Sequence, residues 1–211
     1  MGVSELLTLT GEARREIIAR HRARGVAIPC EDGVIITPQV TIAPGAVILP
    51  GTVLLGATSV GAGAVLSNVQ AEDSEVGPNC EIGPWVRLRP GTKVGASVRI
   101  GNFVEIKNSE IGDGTKISHL SYIGDATFGR DVNVGCGLAV ANYAGEKGVK
   151  HRTAVGDGAF IGCNNSLVAP LELGAGSYTA AGSVITEDVP ADTLAIARAR
   201  QVNKEKKAGD N

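Results

Sequence analysis

The chain has 211 residues, 43% of them hydrophobic and 20% charged, with a formal net charge of −2. That length fits one domain or one repeat array, and the near-neutral balance supplies no global attraction to nucleic acid or to a membrane surface. Aromatic residues are only 3%, whereas glycine occurs 29 times, about twice its usual usage near 7%; this excludes a wide core filled with large rings and suits thin aliphatic layers.

The first residues, MGVSELLTLTGEARRE, carry charges where a signal peptide needs an apolar stretch. No run approaches the roughly 18 apolar residues of a membrane span. Cys30, Cys80, Cys136 and Cys163 are widely spread without a CxxC pair, which argues against a zinc ribbon or a thioredoxin-type motif. These features predict a reduced, cytoplasmic protein. Residues 1–33 read as a helical lead-in, in which Thr10 caps a helix through Glu12, Arg14, Arg15, Ile17, Ile18 and Arg20, with Gly25 as its stop. Its arginines and His21 are read as a solvated face rather than a nucleic-acid contact.

From Val34 to Pro190 an aliphatic residue recurs at every sixth position. Ile36, Ile42, Ile48, Leu54, Val60 and Leu66 form one run. Val76, Ile82, Leu88, Val94, Ile100 and Ile106 form a second, and Val155, Ile161, Leu167, Leu173, Thr179 and Ile185 a third. Such a period predicts a solenoid of short parallel strands, with the aliphatic residue inward and a small residue or glycine at the corner. Ile106 to Ile111 and Ile123 to Phe128 are five-residue steps. The segment 142–152, NYAGEKGVKHR, has no repeat and is expected to loop out of the wall, as functional or disordered segments do. In residues 191–211, Asp192 to Lys207 is expected to form a short helix over the open end, covering an edge that could template pairing, followed by a flexible tail.

Phasing the hexads aligns distant residues. Arg89 and Lys107 each follow an inward aliphatic residue and should stack about 4.8 Å apart in adjacent coils. Asn102 and His119 fall in one outward column, and Glu105 and Tyr122 in its neighbour. Stacked cations repel unless an anion lies between them, so Arg89 and Lys107 suit a phosphate, with Lys150 and Arg152 able to add to the same spot. His119 is a candidate general base near neutral pH, which Glu105 could orient. Asn142 and Tyr143 open the extruded loop and can make polar contacts with a small ligand. A three-histidine metal site is disfavoured because His21 is in the lead-in and His151 in the loop; no metal is expected.

RLRPG (87–91), GNFVEIKNS (101–109), SHLSYIGDATFG (118–129), NVGCG (133–137), the NY pair at 142–143 and AAGSVITEDVP (180–190) resemble the acetyltransferase domain of the bifunctional bacterial GlmU enzymes. The likeness runs from about residue 10 to about residue 203 and is most specific over 84–200. It implies a left-handed parallel β-helix, a homotrimer with sites between subunits, and acetyl-CoA-dependent N-acetylation of glucosamine 1-phosphate in the cytoplasm. By motif position, Arg89, Lys107 and Lys150 would hold the sugar phosphate, and Tyr122 and Asn133 the sugar. His119 would take the proton from the 2-amino group, with Glu105 supporting it. Asn142 and Tyr143 would line the meeting point of sugar and acetyl group, and Cys163, Ala181 and Arg198 would contact coenzyme A.

Departures accompany the likeness. Cys163 stands where the family usually has serine, Ala144 follows NY where aspartate is usual, and the loop is about two residues longer. The first 30 residues hold no Gly-rich nucleotide loop, so uridyltransferase activity and its magnesium are expected to be absent. Two alternatives remain: the same chemistry on another amino sugar, such as a nucleotide-linked one, and a non-catalytic trimeric binding or scaffold protein.

Overall fold

A computed structural model describes residues 9–205. The lead-in forms the helix Gly11–Ala23. Thr10 Oγ1 accepts a hydrogen bond from the Ala13 N–H at 3.2 Å, which satisfies one of the free donors of the first turn. Beyond the C-cap Arg24, Gly25 takes a left-handed turn with φ +88°, the conformation that ends helices at glycine. Ile17 and Ile18 are buried in the same core cluster as Ile36 and Leu54, so the helix closes the first coil. His21 is buried with them, and neither ring nitrogen has a partner. Burial holds its pKa below the usual value, helped by the charges of Arg20 and Arg24.

The rest is a left-handed parallel β-helix of about 9 turns. Its three walls follow directly from the hexad. Ile36, Leu54, Leu88, Ile106, Ile123, Val140, Leu167 and Ile185 point inward from the first wall. Ile42, Val60, Val76, Val94, Ile111, Phe128, Val155 and Leu173 do so from the second. Ile48, Leu66, Ile82, Ile100, Ile117, Val134, Ile161 and Thr179 fill the third. A fully buried Ile or Leu contributes about 1.5–3 kcal/mol, and here each stacks on its counterpart one coil away.

The period is interrupted more often than the sequence count suggests. Besides the steps at Ile106–Ile111 and Ile123–Phe128, Ala71 occupies an inward site of the first wall, paired with Leu54 and Leu88. The stretch from Leu66 to Val76 therefore makes two short steps through a residue too small to register as an aliphatic beat. The segment 142–152 leaves the wall between Val140, paired with Leu167, and Thr153, paired with Ala126. It is tied at its base by a Tyr143–Lys150 bridge and by the His151 N–H bonded to Asn142 O at 3.0 Å.

The C-terminal helix is not found among the described residues. Leu194–Ala195 is instead a strand paired with Tyr178–Thr179, and Val184 N–H donates to Ala197 O at 3.0 Å. The last coil would otherwise leave a row of backbone donors unpaired, and satisfying them outweighs the weak helix preference of TLAIARAR. Residues 206–211, including Lys207 and the tail's end, and residues 1–8 of the lead-in lie outside the described residues.

A candidate active site across two walls

Strands Arg99–Lys107 and Lys116–Gly124 run unbroken around the corner between the third and first walls. Their register pairs Asn102 with His119, Glu105 with Tyr122 and Lys107 with Gly124, as the phased hexads predict. The corner is turned by Phe103 (φ 60°) and Leu120 (φ 46°), with Trp85 (φ 54°) one coil above. Trp85 and Phe103 stack with centroids 5.6 Å apart, and all three side chains are more than half exposed, at 61%, 55% and 56%.

On the third-wall side of this corner, His119 Nδ1 lies 3.0 Å from Asn102 Oδ1. A carbonyl oxygen can only accept, so this contact needs a proton on Nδ1, and in the neutral ring the lone pair then lies on Nε2. The contact thus favours the neutral tautomer whose Nε2 can act as a base. The imidazole opens onto a groove of about 430 Å³ lined by Glu81, Pro84, Arg99, Asn102 and Ser118. Asn102 supports the ring, whereas the carboxylate of Glu105 accepts from Arg89 Nη1 at 2.9 Å. In this structure the ring's hydrogen bond thus goes to Asn102, which shares the histidine's column, whereas Glu105, expected to support the histidine, lies past the corner and pairs with Arg89.

At the other edge of the first wall, Arg89 stacks over Lys107, its N–H bonded to Ile106 O at 2.8 Å. The Lys150 ammonium reaches back from the loop to within 3.7 Å of Asp125 Oδ2. Lys107 sits below its ordinary pKa because Lys150 is within hydrogen-bonding reach, with burial and the Arg89 charge acting the same way. This is a cationic cluster short of negative charge. Asp125 is its buried counterweight. Its carboxylate accepts from Asn108 Nδ2 at 2.5 Å and from Asn142 Nδ2. Burial acts to raise its pKa, but the Asn108 and Asn142 hydrogen bonds and the charges of Lys150 and Lys107 bring it below the usual carboxylate value. With Nδ2 committed to Asp125, the Asn142 amide has its orientation set. The Tyr122 phenol lies over Gly124, where an added Cβ would crowd it and sit 2.8 Å from Asn142 Nδ2, so only glycine admits the ring.

Below His119 the same column continues through Cys136, Cys163 and Ala181. The register Ile117–Val134–Ile161–Thr179 fixes it, and it makes a lane parallel to the helix axis. Arg198 stands at its foot, its Cδ 3.7 Å from where a Cβ on Gly182 would be. The structure thus gathers Arg89, Glu105, Lys107, Tyr122, Asn142 and Lys150 at one edge, and aligns His119, Cys163, Ala181 and Arg198 along another. Two candidates join neither group. Asn133 is in the Lys116–Phe160 column of the third wall, and the Tyr143 hydroxyl donates to Gly145 O at 3.2 Å within its own loop. Asp125 and Asn108 escaped the sequence reading, although counting one coil of 17 residues back and forward from Asp125 reaches Asn108 and Asn142. Among the described residues no group of three or more His, Cys, Asp or Glu side chains could hold a metal ion, and no helix is long and apolar enough to cross a membrane.

A bacterial transferase hexapeptide model of six repeats matches residues 73–108. Over 101 residues, 48% of this chain, the sequence is 63% identical to the bifunctional protein GlmU of Bacillus velezensis, of which that stretch is 22%. Over 146 residues, 69% of this chain, it is 47% identical to GlmU of Geobacillus sp. strain WCH70, of which the stretch is 31%. The chain therefore spans less than a third of the length of these relatives. The UDP-N-acetylglucosamine acyltransferase of Francisella novicida superposes with a TM-score of 0.68 at 17% identity, covering 78% of this chain and 65% of that one. The UDP-N-acetylglucosamine O-acyltransferase of Moraxella catarrhalis gives 0.56 at 18% identity, covering 82% and 69%. At these identities the two structures share the fold.

Proposed function

We propose that this hexapeptide-repeat chain, related to GlmU over about half its length, transfers the acetyl group of acetyl-CoA to the amino group of glucosamine 1-phosphate. One observation carries the reading: His119, its Nδ1 against Asn102, lies just across the corner from a wall whose far edge bears three cations. His119 and the Lys107–Gly124 row are five residues apart along a strand that turns the corner at Leu120, so they lie closer than the roughly 16 Å that five fully extended residues span. Long cationic side chains and a phosphosugar fill such a gap together. Arg89, Lys107 and Lys150 would hold the phosphate and so fix where the amine lies. The amino group is not nucleophilic as an ammonium, so the acceptor reacts as the free amine, its ammonium proton released to solvent. As this amine attacks the thioester carbonyl, His119 Nε2 would take a proton from the nitrogen; a C–N bond forms, the C–S bond breaks, and the proton on Nε2 passes to the departing thiolate. The lane through Cys163, Ala181 and Arg198 is the path for the donor's arm and phosphates.

A homotrimer is part of this proposal, since the exposed Trp85, Phe103 and Leu120 beside His119 form an apolar strip that a neighbouring copy would cover; sedimentation at several concentrations tests it. The reaction is tested by acetyl transfer to glucosamine 1-phosphate, to glucosamine, and to a nucleotide-linked amino sugar. Turnover that depends on the 1-phosphate is expected. Equal rates without phosphate, or none on any acceptor, would overturn the reading, and a preference for the nucleotide-linked sugar would move the acceptor.

A further inference from the structure

We infer that Cys136 and Cys163 form a two-thiolate site for a soft, two-coordinate cation of the Cu(I) type. Both cysteines are free and exposed. They are direct partners in adjacent coils: Gly135 N–H donates to Ile161 O at 2.8 Å, and Asn164 N–H to Cys136 O at 2.7 Å. Their side chains leave the same wall in the same direction, at a separation of about 4.8 Å.

That spacing selects the ligand. A linear S–metal–S bridge has bonds somewhat shorter than the roughly 2.3 Å of a zinc thiolate, so it spans somewhat less than about 4.6 Å, and thiolates on side chains about 4.8 Å apart reach it by a small inward turn of both. The backbone spacing alone also falls within the roughly 4.4–6.8 Å between Cα atoms of a disulfide, but a disulfide must draw the Cβ atoms to about 3.5–4.5 Å and the sulfurs to about 2.05 Å, a larger inward shift than a bridging ion asks. The coils are already close: a Cβ on Gly135 would lie 2.6 Å from the Cys163 nitrogen. Zinc wants four ligands, and no third His, Cys, Asp or Glu completes a group among the described residues. Two thiolates alone suit a soft monovalent ion. Binding is simple ligation: each thiol releases a proton, the ion takes both sulfurs, and no electron is transferred.

The other cysteines lack this arrangement. Cys80 is buried with its thiol donating to Gly95 O at 3.0 Å, and burial pushes its pKa up. Cys30 is half-buried in the lead-in. An ion at Cys136 and Cys163 would sit one coil below His119 in the lane just described. That it would obstruct the acyl donor rests on the proposed function; the binding itself does not.

The test is anaerobic titration of the reduced full chain with Cu(I) against a chromophoric Cu(I) chelator. One ion per chain is expected. Cys136→Ser and Cys163→Ser, outward and nearly isosteric, should each weaken binding at least about a hundredfold with unchanged melting, while Cys30→Ser retains it. X-ray absorption should show two sulfurs and no nitrogen. Retention of the ion by either single-cysteine variant, or a shell of three or more ligands, would overturn the site. Mass spectrometry after oxidised glutathione should find glutathione adducts. A ready Cys136–Cys163 disulfide would overturn the spacing argument.

Discussion

One corner of the prism is built in two ways. In the first coils the turn from the third wall to the first is made by Gly33 (φ 67°), Gly51 (φ 73°) and Asn68 (φ 48°), and lower down by Gly137 (φ 84°), Asn164 (φ 53°) and Gly182 (φ 74°), glycine or the asparagine that best tolerates the turn. In the three coils that carry the candidate site, Trp85, Phe103 and Leu120 make the same left-handed turn. Glycine does so without penalty, whereas a bulky residue pays roughly 1–2 kcal/mol. The backbone is alike in both regions, so the fold does not demand these side chains. Strain of this sort is concentrated where a site is held, and here it flanks the one histidine that lies within the regular coils.

The contrast is tested most severely by His119→Ala. In the strained coils this should lower kcat by about 10²- to 10⁴-fold while leaving the melting temperature unchanged, because the ring is exposed; steady-state kinetics with a thermal melt decides it. An unaltered kcat would mean that the strained corner serves something other than proton transfer. Lys107→Ala comes next. Losing one charge-assisted contact to phosphate should raise the KM for the sugar phosphate about 10- to 100-fold, with little change in the KM for acetyl-CoA.

Asp125→Asn probes the far edge of the same wall. It removes the buried charge that accepts from Asn108 and Asn142 and pairs with Lys150. A loss of about 1–3 kcal/mol is expected, with faster amide exchange confined to 142–152. Uniform exchange across the chain would show that Asp125 does not hold the loop. Leu120→Asn should move stability the other way, upward by at most about 1 kcal/mol, because asparagine tolerates the left-handed turn, and activity should fall with it. If activity rises too, the corner is not part of the site.

The smallest effect belongs to the lead-in helix. The folded state holds His21 below its usual pKa, so the unfolded chain binds the proton more readily. Stability is then fully present above the ordinary value near pH 6.5 and declines as pH falls through it towards the folded value. Urea unfolding between pH 7.5 and 5 should show this decline in wild type and less of it in His21→Gln.

Much of this was legible in the chain because one requirement, an aliphatic residue facing a narrow core, repeats at fixed intervals. Counting that interval placed Asn102 beside His119 and Glu105 beside Tyr122, and the strand register agrees. It did not say which side chain would turn to which. Asn102 rather than Glu105 meets the imidazole, because corners redirect side chains that are close in sequence. The interval also passed over Ala71, whose small side chain carries no hydrophobic beat. The expected C-terminal helix failed because local propensity knows nothing of the open edge at Tyr178–Ile185, which Leu194–Ala197 pairs instead.

The sequence by itself determined the prism, its three walls, the column of cations and the segment that leaves the wall, since each follows from a period that burial enforces residue by residue. Only the tertiary structure decided the hydrogen bonds across coils: Asn102 to His119, Arg89 to Glu105, and Asp125 gathering Asn108, Asn142 and Lys150. Those depend on directions and distances among side chains a whole coil apart in sequence. A periodic pattern encodes where a residue stands, but not towards which neighbour its polar atoms turn.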